Sequence, residues 1–379
     1  MHKTPVRSVV FALALQLSVT AAAAQGARPV LPAGADPNDW SAYFDRGVEL
    51  MNGQEVSQAE GMFRWAARLD PSRAEPLYAA WVAFHMHDAG RFEEYMRDDA
   101  HVLRKPEVIA ADSLQLAALV RNPFVHRGLL ALAYQQLPGD WADDGFTRAF
   151  LEYARGNMDE AARGLERVER HSPGDFHTRH ARALALVSLR RYGEARVELD
   201  SVLAALRRRD QRRSSRVYES KEMLMYSLGL LYLVQNRPGE AREAFAQAVL
   251  EDASQWYVHR GLGLALVAAG QPGEALAEYR TALELAGDAE PLLLREYGDA
   301  LAAAGQPGEA VAQLSRLVRI APDWADAWMA LGNAYVRAGN SAGALEAFTA
   351  YLARAPRRDA EVAGRVRATV DRLRASGSE

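Results

Sequence analysis

Between Trp40 and Pro356 the apolar residues fall on one helical face at a time, in short stretches parted by polar breaks, and the pattern returns at a fixed interval. Gly229, Gly263, Gly298 and Gly332 stand 34, 35 and 34 residues apart. Twelve residues after each comes an alanine (Ala241, Ala275, Ala310, Ala344), and four residues further a bulky apolar side chain (Phe245, Tyr279, Leu314, Phe348). Pro322 and Pro356 close the last two units. In the last one, Trp328, Leu331, Gly332 and Tyr335 share a helical face, and Arg337-Ala338-Gly339-Asn340 then interrupts the helix. Gly339 suits the left-handed turn that ends helices. A second helix is expected from Ser341, as N-cap, to Arg354, before Pro356 forbids continuation. The same turn recurs as Gly156-Asn157, Gly270-Gln271 and Gly305-Gln306. Each unit therefore reads as a helical hairpin, with the glycine and alanine columns where its two helices approach most closely.

The same spacings hold for Gly47, Ala59, Phe63, Ala66 and Pro71, for Ala161, Leu165 and Pro173, and for Ala195 and Leu199. Ala59 and Ala161 lie 102 residues apart, room for two degenerate units near Tyr78 to Lys105 and Ala110 to Pro138, whose alanine column is lost at Glu93 and His126. Ala195 to Ala241 spans 46 residues, one unit plus an insertion of twelve. The count is nine units, seven distinct and two inferred. After Pro356, Val362, Val366, Val370 and Leu373 form one apolar stripe, with Arg365, Arg367, Arg372 and Arg374 on the other sides. That is the form of a helix covering the open end of a repeat stack.

Trp328, Leu331, Gly332, Tyr335, Ala344, Phe348 and Pro356 together resemble the tetratricopeptide repeat family, over roughly Trp40 to Pro356. The resemblance implies an all-α, right-handed superhelical solenoid of about nine hairpins with a concave inner surface. It also implies a scaffold that holds proteins or peptides, and it supplies no catalytic activity or cofactor.

Charge and composition narrow the picture. A net charge of −4 argues against a general nucleic-acid binder, so no nucleic-acid partner is expected. The absence of cysteine removes disulfides, thiol nucleophiles and Cys-type zinc sites. At the N-terminus, Lys3 and Arg7 precede an apolar run from Val9 to Val19 and the small residues Ala22 and Ala24. This reads as a signal peptide over residues 1–24, with export to the periplasm or beyond. Eleven helical residues rise only about 16 Å against roughly 30 Å of hydrocarbon, which disfavours a retained span. Residues 25–39, with Pro29, Pro32 and Pro37, read as a flexible lead-in, residues 40–356 as the solenoid and residues 357–379 as the capping helix and tail.

Residues one position beyond the packing columns of each first helix form the face turned to the groove. They include Phe44 and Val48; Tyr78; Phe146, Phe150 and Tyr153; Tyr226 and Leu230; Arg260; Arg295; and Asn333. An aromatic, apolar face grades into a polar one, as expected of a surface for an amphipathic or extended apolar segment. Burial of the same residues as ordinary core by tight superhelical curvature is the other account. Members of the resembled family that grip a partner's C-terminal carboxylate pair a lysine with an asparagine one turn apart on this face; Tyr226/Leu230, Arg260/Leu264, Arg295/Asp299 and Met329/Asn333 provide no such pair, so capture of an acidic C-terminal tail is not expected. The insertion, Arg207 to Arg216, holds six arginines against one acid and can meet an acidic partner or an anionic lipid surface. A solvated helical extension explains it as well.

Catalytic signals are weak. His177 and His180 can share a helical face, but Arg179 and Arg182 lie beside them, and no phosphate-binding loop, hydrolase elbow or metalloprotease motif occurs. The expected function is non-catalytic binding of a protein or peptide in the bacterial envelope. The alternatives are an envelope enzyme with a metal-dependent hydrolase pocket and a self-assembling structural protein.

Overall fold

The computed structural model describes residues 28–53, 55–73, 158–171, 176–212, 221–286 and 290–376, and six isolated residues between 76 and 149. Among the described residues there are fourteen α-helices and no strand. α1 (Trp40–Asn52) pairs with α2 (Val56–Leu69), and α3 (Met158–His171) precedes the pair α4 (Phe176–Ser188) and α5 (Tyr192–Arg212). The pairs α6 (Lys221–Val234) with α7 (Pro238–Glu251), α8 (Trp256–Ala268) with α9 (Pro272–Ala286), α10 (Pro291–Ala303) with α11 (Pro307–Ile320) and α12 (Ala325–Arg337) with α13 (Ser341–Arg354) follow. A short 3₁₀ turn (Arg357–Asp359) leads into α14 (Ala360–Ser376). α5, α7, α9 and α11 each also pack on the first helix of the next pair, so the fold is an all-α solenoid of hairpins. The two inferred units near 78–105 and 110–138, and the Gly156-Asn157 turn, lie outside the continuously described residues.

Local chemistry explains the period. α7, α9 and α11 begin Pro-Gly-Glu, placing proline at a helical position where its missing N–H costs nothing. The glutamate two residues later sits near the positive end of the helix, and Arg237 donates to Glu240 at 2.7 Å as Gln271 does to Glu274. Gly270, Gly305 and Gly339 take φ of +77°, +79° and +73° at the hairpin turns. Asn236 (φ 55°) and Arg190 (φ 59°) fill that place in two other hairpins. The N–H after each turn reaches back five residues, as Gln271 N does to Leu266 O at 2.8 Å and Arg191 N to Leu186 O at 2.9 Å. The cap of α13 is Asn340 rather than Ser341: Asn340 Oδ1 accepts the Gly343 N–H at 2.9 Å, and Ser341 is the first helical residue.

At three positions of the glycine column the facing side chain leaves no room for a Cβ. A Cβ on Gly332 would stand 2.5 Å from the Phe348 ring, on Gly229 2.5 Å from Phe245, and on Gly298 2.6 Å from Leu314. The bulky side chain sixteen residues on fills the space the glycine vacates. One core runs unbroken from α8 to α13, through Tyr279, Leu294, Leu314, Trp324 and Leu331. α14 closes it by laying Ala363, Val366 and Val370 against Phe348 and Tyr351. The insertion is absorbed in part as extra helix: α5 runs on to Arg212, with Arg207 and Arg208 exposed, and residues 213–220 lie outside the described region.

Candidate binding groove

First helices of successive hairpins touch one another directly, α6 against α8, α8 against α10 and α10 against α12, so they line one continuous side of the stack. Three of the ten exposed large hydrophobics among the described residues occupy the two outermost positions of this face, and a fourth takes the matching position on α1. They are Leu230 (37%), Val267 (36%), Val336 (49%) and, on α1, Val48 (39%). Asn333 and Asp299 are exposed on the same face.

Positions one turn earlier are more enclosed. Phe44 is half-buried, its ring 5.6 Å from Phe63 and 6.1 Å from Trp40. Tyr226 packs between hairpins, 5.4 Å from Phe245 and 5.1 Å from Tyr257, and a Cβ on Gly261 would lie 3.0 Å from its ring. Burial pushes its hydroxyl up from the ordinary tyrosine range, so it stays protonated at neutral pH. Arg260 grips Glu296 of the next first helix with both arms, Nε to Oε2 at 2.7 Å and Nη2 to Oε1 at 2.6 Å, and its Nη1 lies 3.3 Å from the Tyr226 hydroxyl. Burial opposes the charge on Arg260, but the adjacent Glu296 carboxylate outweighs it and raises the guanidinium pKa. Arg295 pairs with Asp299 at 2.9 Å and donates to the Asp326 carbonyl at 3.1 Å. Arg260 and Arg295 are thus paired within the face, which leaves Leu230, Val267, Val336 and Asn333 outward beside the paired Asp299. Tyr78, Phe146, Phe150 and Tyr153 lie outside the residues whose side chains are described.

Of the histidines, His180 is buried with Nε2 3.2 Å from Ser227 Oγ, and His259 bridges Glu278 at 2.7 Å and the Ala253 carbonyl at 3.0 Å. Both therefore act as packed, hydrogen-bonded core groups. The His177 side chain is not described. Among the described residues no three metal-ligating side chains converge.

Models of the tetratricopeptide repeat match residues 226–290, 266–334 and 301–368. Residues 226–368 of the chain are tetratricopeptide repeats.

Solved structures with a similar arrangement of helices include YrrB, described as a TPR protein with an unusual peptide-binding site (23% identity, TM-score 0.42, 54% of this chain and 98% of that one). PilW, a type IV pilus biogenesis factor, is 18% identical (TM-score 0.48, 57% and 94%). A repeat-containing protein from Cytophaga hutchinsonii is 13% identical (TM-score 0.45, 55% and 78%). No curated protein matches in sequence.

Within this repeat protein, Glu296 is the site residue that pattern reading missed. It lies one repeat plus one residue beyond Arg260, so aligning the charges of neighbouring first helices would have found it. A second charged cluster was hidden by the consensus. Arg179 and Arg182 in α4 stand where Trp328 and Leu331 stand in α12, counted back from Ala183 and Gly332. Arg182 meets Glu198 of α5 at 2.6 Å and Glu169 of α3 at 3.4 Å, while Arg179 pairs with Glu169 and donates to Ser201 Oγ at 2.7 Å.

Proposed function

We propose that this repeat protein is a non-catalytic scaffold of the bacterial cell envelope that seats an apolar or amphipathic segment of a partner protein along its first helices. The observation that carries the reading is the exposure of Leu230, Val267 and Val336 on that face, while Arg260 and Arg295 beside them are paired from within. Exposed apolar side chains on one face favour a greasy ligand over an ionic one. The tetratricopeptide repeats of residues 226–368 support protein binding in general. The envelope setting rests on the N-terminal segment, whose charge, apolar run and small residues suit export and cleavage after Ala24. No helix among the described residues is long and apolar enough to cross a membrane.

The test pairs Leu230→Glu with Val267→Glu, two side chains whose exposure lets the fold tolerate them. The double variant keeps its helicity and loses the proteins that the wild type retains from envelope extract. Retention of the same proteins at the same yield overturns the groove. N-terminal sequencing of protein recovered from fractionated cells, beginning at Gln25, tests the export step.

A further inference from the structure

The two ends of the described array meet. Near the end of α2, Arg68 donates from Nε (3.2 Å) and Nη2 (2.6 Å) to Asp323, in the turn before α12. Asp36 accepts the backbone N–H of Arg357 at 2.5 Å and lies 3.7 Å from its guanidinium, which in turn reaches the Ala35 carbonyl at 2.8 Å. Arg358 donates to Asp39 at 2.6 Å and stands 5.8 Å from the Trp40 ring, and Asn38 donates to the Ala353 carbonyl at 3.3 Å. Residues 34–39, which belong to the proline- and glycine-bearing lead-in, are the strap of this contact.

We infer that residues 34–39 and Arg68, with Asp323 and residues 353–358, form an ion-paired clasp that holds the first hairpin to the last and opens reversibly with salt. The polarity is crossed. The start of the array offers acids to Arg357 and Arg358 but a base to Asp323, so a slipped register sets like charges together. Single exposed ion pairs hold little. Here several act at once between ends already tethered in one chain, where the second contact is intramolecular once the first has formed. Arg357 and Arg358 keep 66% and 43% of their side-chain exposure, so the contact is open to counterions. The Debye length falls from about 8 Å at physiological ionic strength to about 3 Å at 1 M, which weakens the clasp and leaves the apolar packing within hairpins intact. The clasp sets the separation of the two ends of the first-helix face whether or not that face has an occupant.

The chain has no cysteine, so a pair introduced as Ala33→Cys and Ala353→Cys, at two exposed alanines, takes spin labels cleanly. In purified protein the labels show strong dipolar broadening at about 50 mM NaCl, lose it at about 1 M and regain it on dilution, with the helical circular dichroism unchanged. Arg68→Asp moves the midpoint of that loss to lower salt, and adding Asp323→Arg restores it. Absence of broadening at low salt, persistence at 1 M, or failure of the charge swap to restore the midpoint overturns the clasp. If Arg68→Asp lowers helicity, the salt titration of the otherwise wild-type labelled protein decides alone.

Discussion

The hairpin α12/α13 and the hairpin α4/α5 solve one packing problem with opposite chemistry. In the former, Trp328 and Leu331 fill the columns before Gly332, and Leu331 packs in a core that includes Val318 and Ala347. In the latter the same columns hold Arg179 and Arg182. The positions of Ser315, Val318 and Ala347 are taken by Glu166, Glu169 and Glu198, counted from Ala310, Ala344, Ala161 and Ala195. The carboxylates appear where the guanidiniums need them, on both flanking helices. A solenoid column thus requires volume and satisfied neighbours, and apolarity is only the simpler way to provide them. The ionic solution is imperfect: the Nε atoms of Arg179 and Arg182 are buried without a hydrogen-bond partner.

The sharpest way to break this comparison is to move a charge without its partners. Leu331→Arg places a guanidinium among Val318 and Ala347 with no carboxylate supplied, and should destabilise by more than about 4 kcal/mol, read as the urea midpoint. A cost near zero would mean that the column accepts charge unaided. The reverse change, Arg182→Leu, leaves Glu198 and Glu169 short of a partner and should cost about 3 kcal/mol. Adding Glu198→Ala should recover most of that loss, since it removes the charge left stranded. Smaller still is a contrast within the apolar hairpins. Gly332→Ala, whose Cβ would meet Phe348 at 2.5 Å, should cost about 1–3 kcal/mol, and Gly263→Ala, facing Tyr279 at 3.1 Å, clearly less. Equal costs would show that ring displacement, and not the gap itself, sets the penalty.

How much of this was legible follows from where one residue type suffices. The glycine, alanine and aromatic columns each answer a local steric demand, so the all-α hairpins and the cap from Ala360 could be read from spacing alone. Ser341 looked a sound cap, yet Asn340 took the role because its carboxamide already lies one residue nearer the turn. The exposed face of the first helices was harder to read. Val48 and Leu230 stood on the expected face, and their exposure depended on neighbours that no single helix reveals. Arg260 looked available because its partner, Glu296, arrives from another repeat. The α4 cluster escaped for the same reason: a charge pair across helices has no period of its own.

The mildest test of the comparison uses protons. Burial raises the Glu198 carboxyl above the ordinary carboxylate range, against the pull of Arg182, while Glu169 and Glu166 add to the rise and Arg179 opposes it. Between its unfolded and folded values the native chain holds a proton on Glu198 that the unfolded chain has released. The contribution of this group to stability is therefore complete below the unfolded pKa and falls away as pH rises through the folded one. Glu198→Gln keeps the shape, cannot ionise and should remove that slope. Melting temperatures measured from about pH 4.5 to about pH 7.5 should show wild type losing ground to the variant as pH rises. A parallel pair of curves would place the carboxylate in ordinary solvent and leave Arg179 and Arg182 as the buried charges that α4 must accommodate. An opposite trend, with wild type gaining on the variant towards neutral pH, would mean that the ion pair to Arg182 outweighs burial, and the α4/α5 hairpin would then be held by its charges as firmly as α12/α13 is by its apolar core.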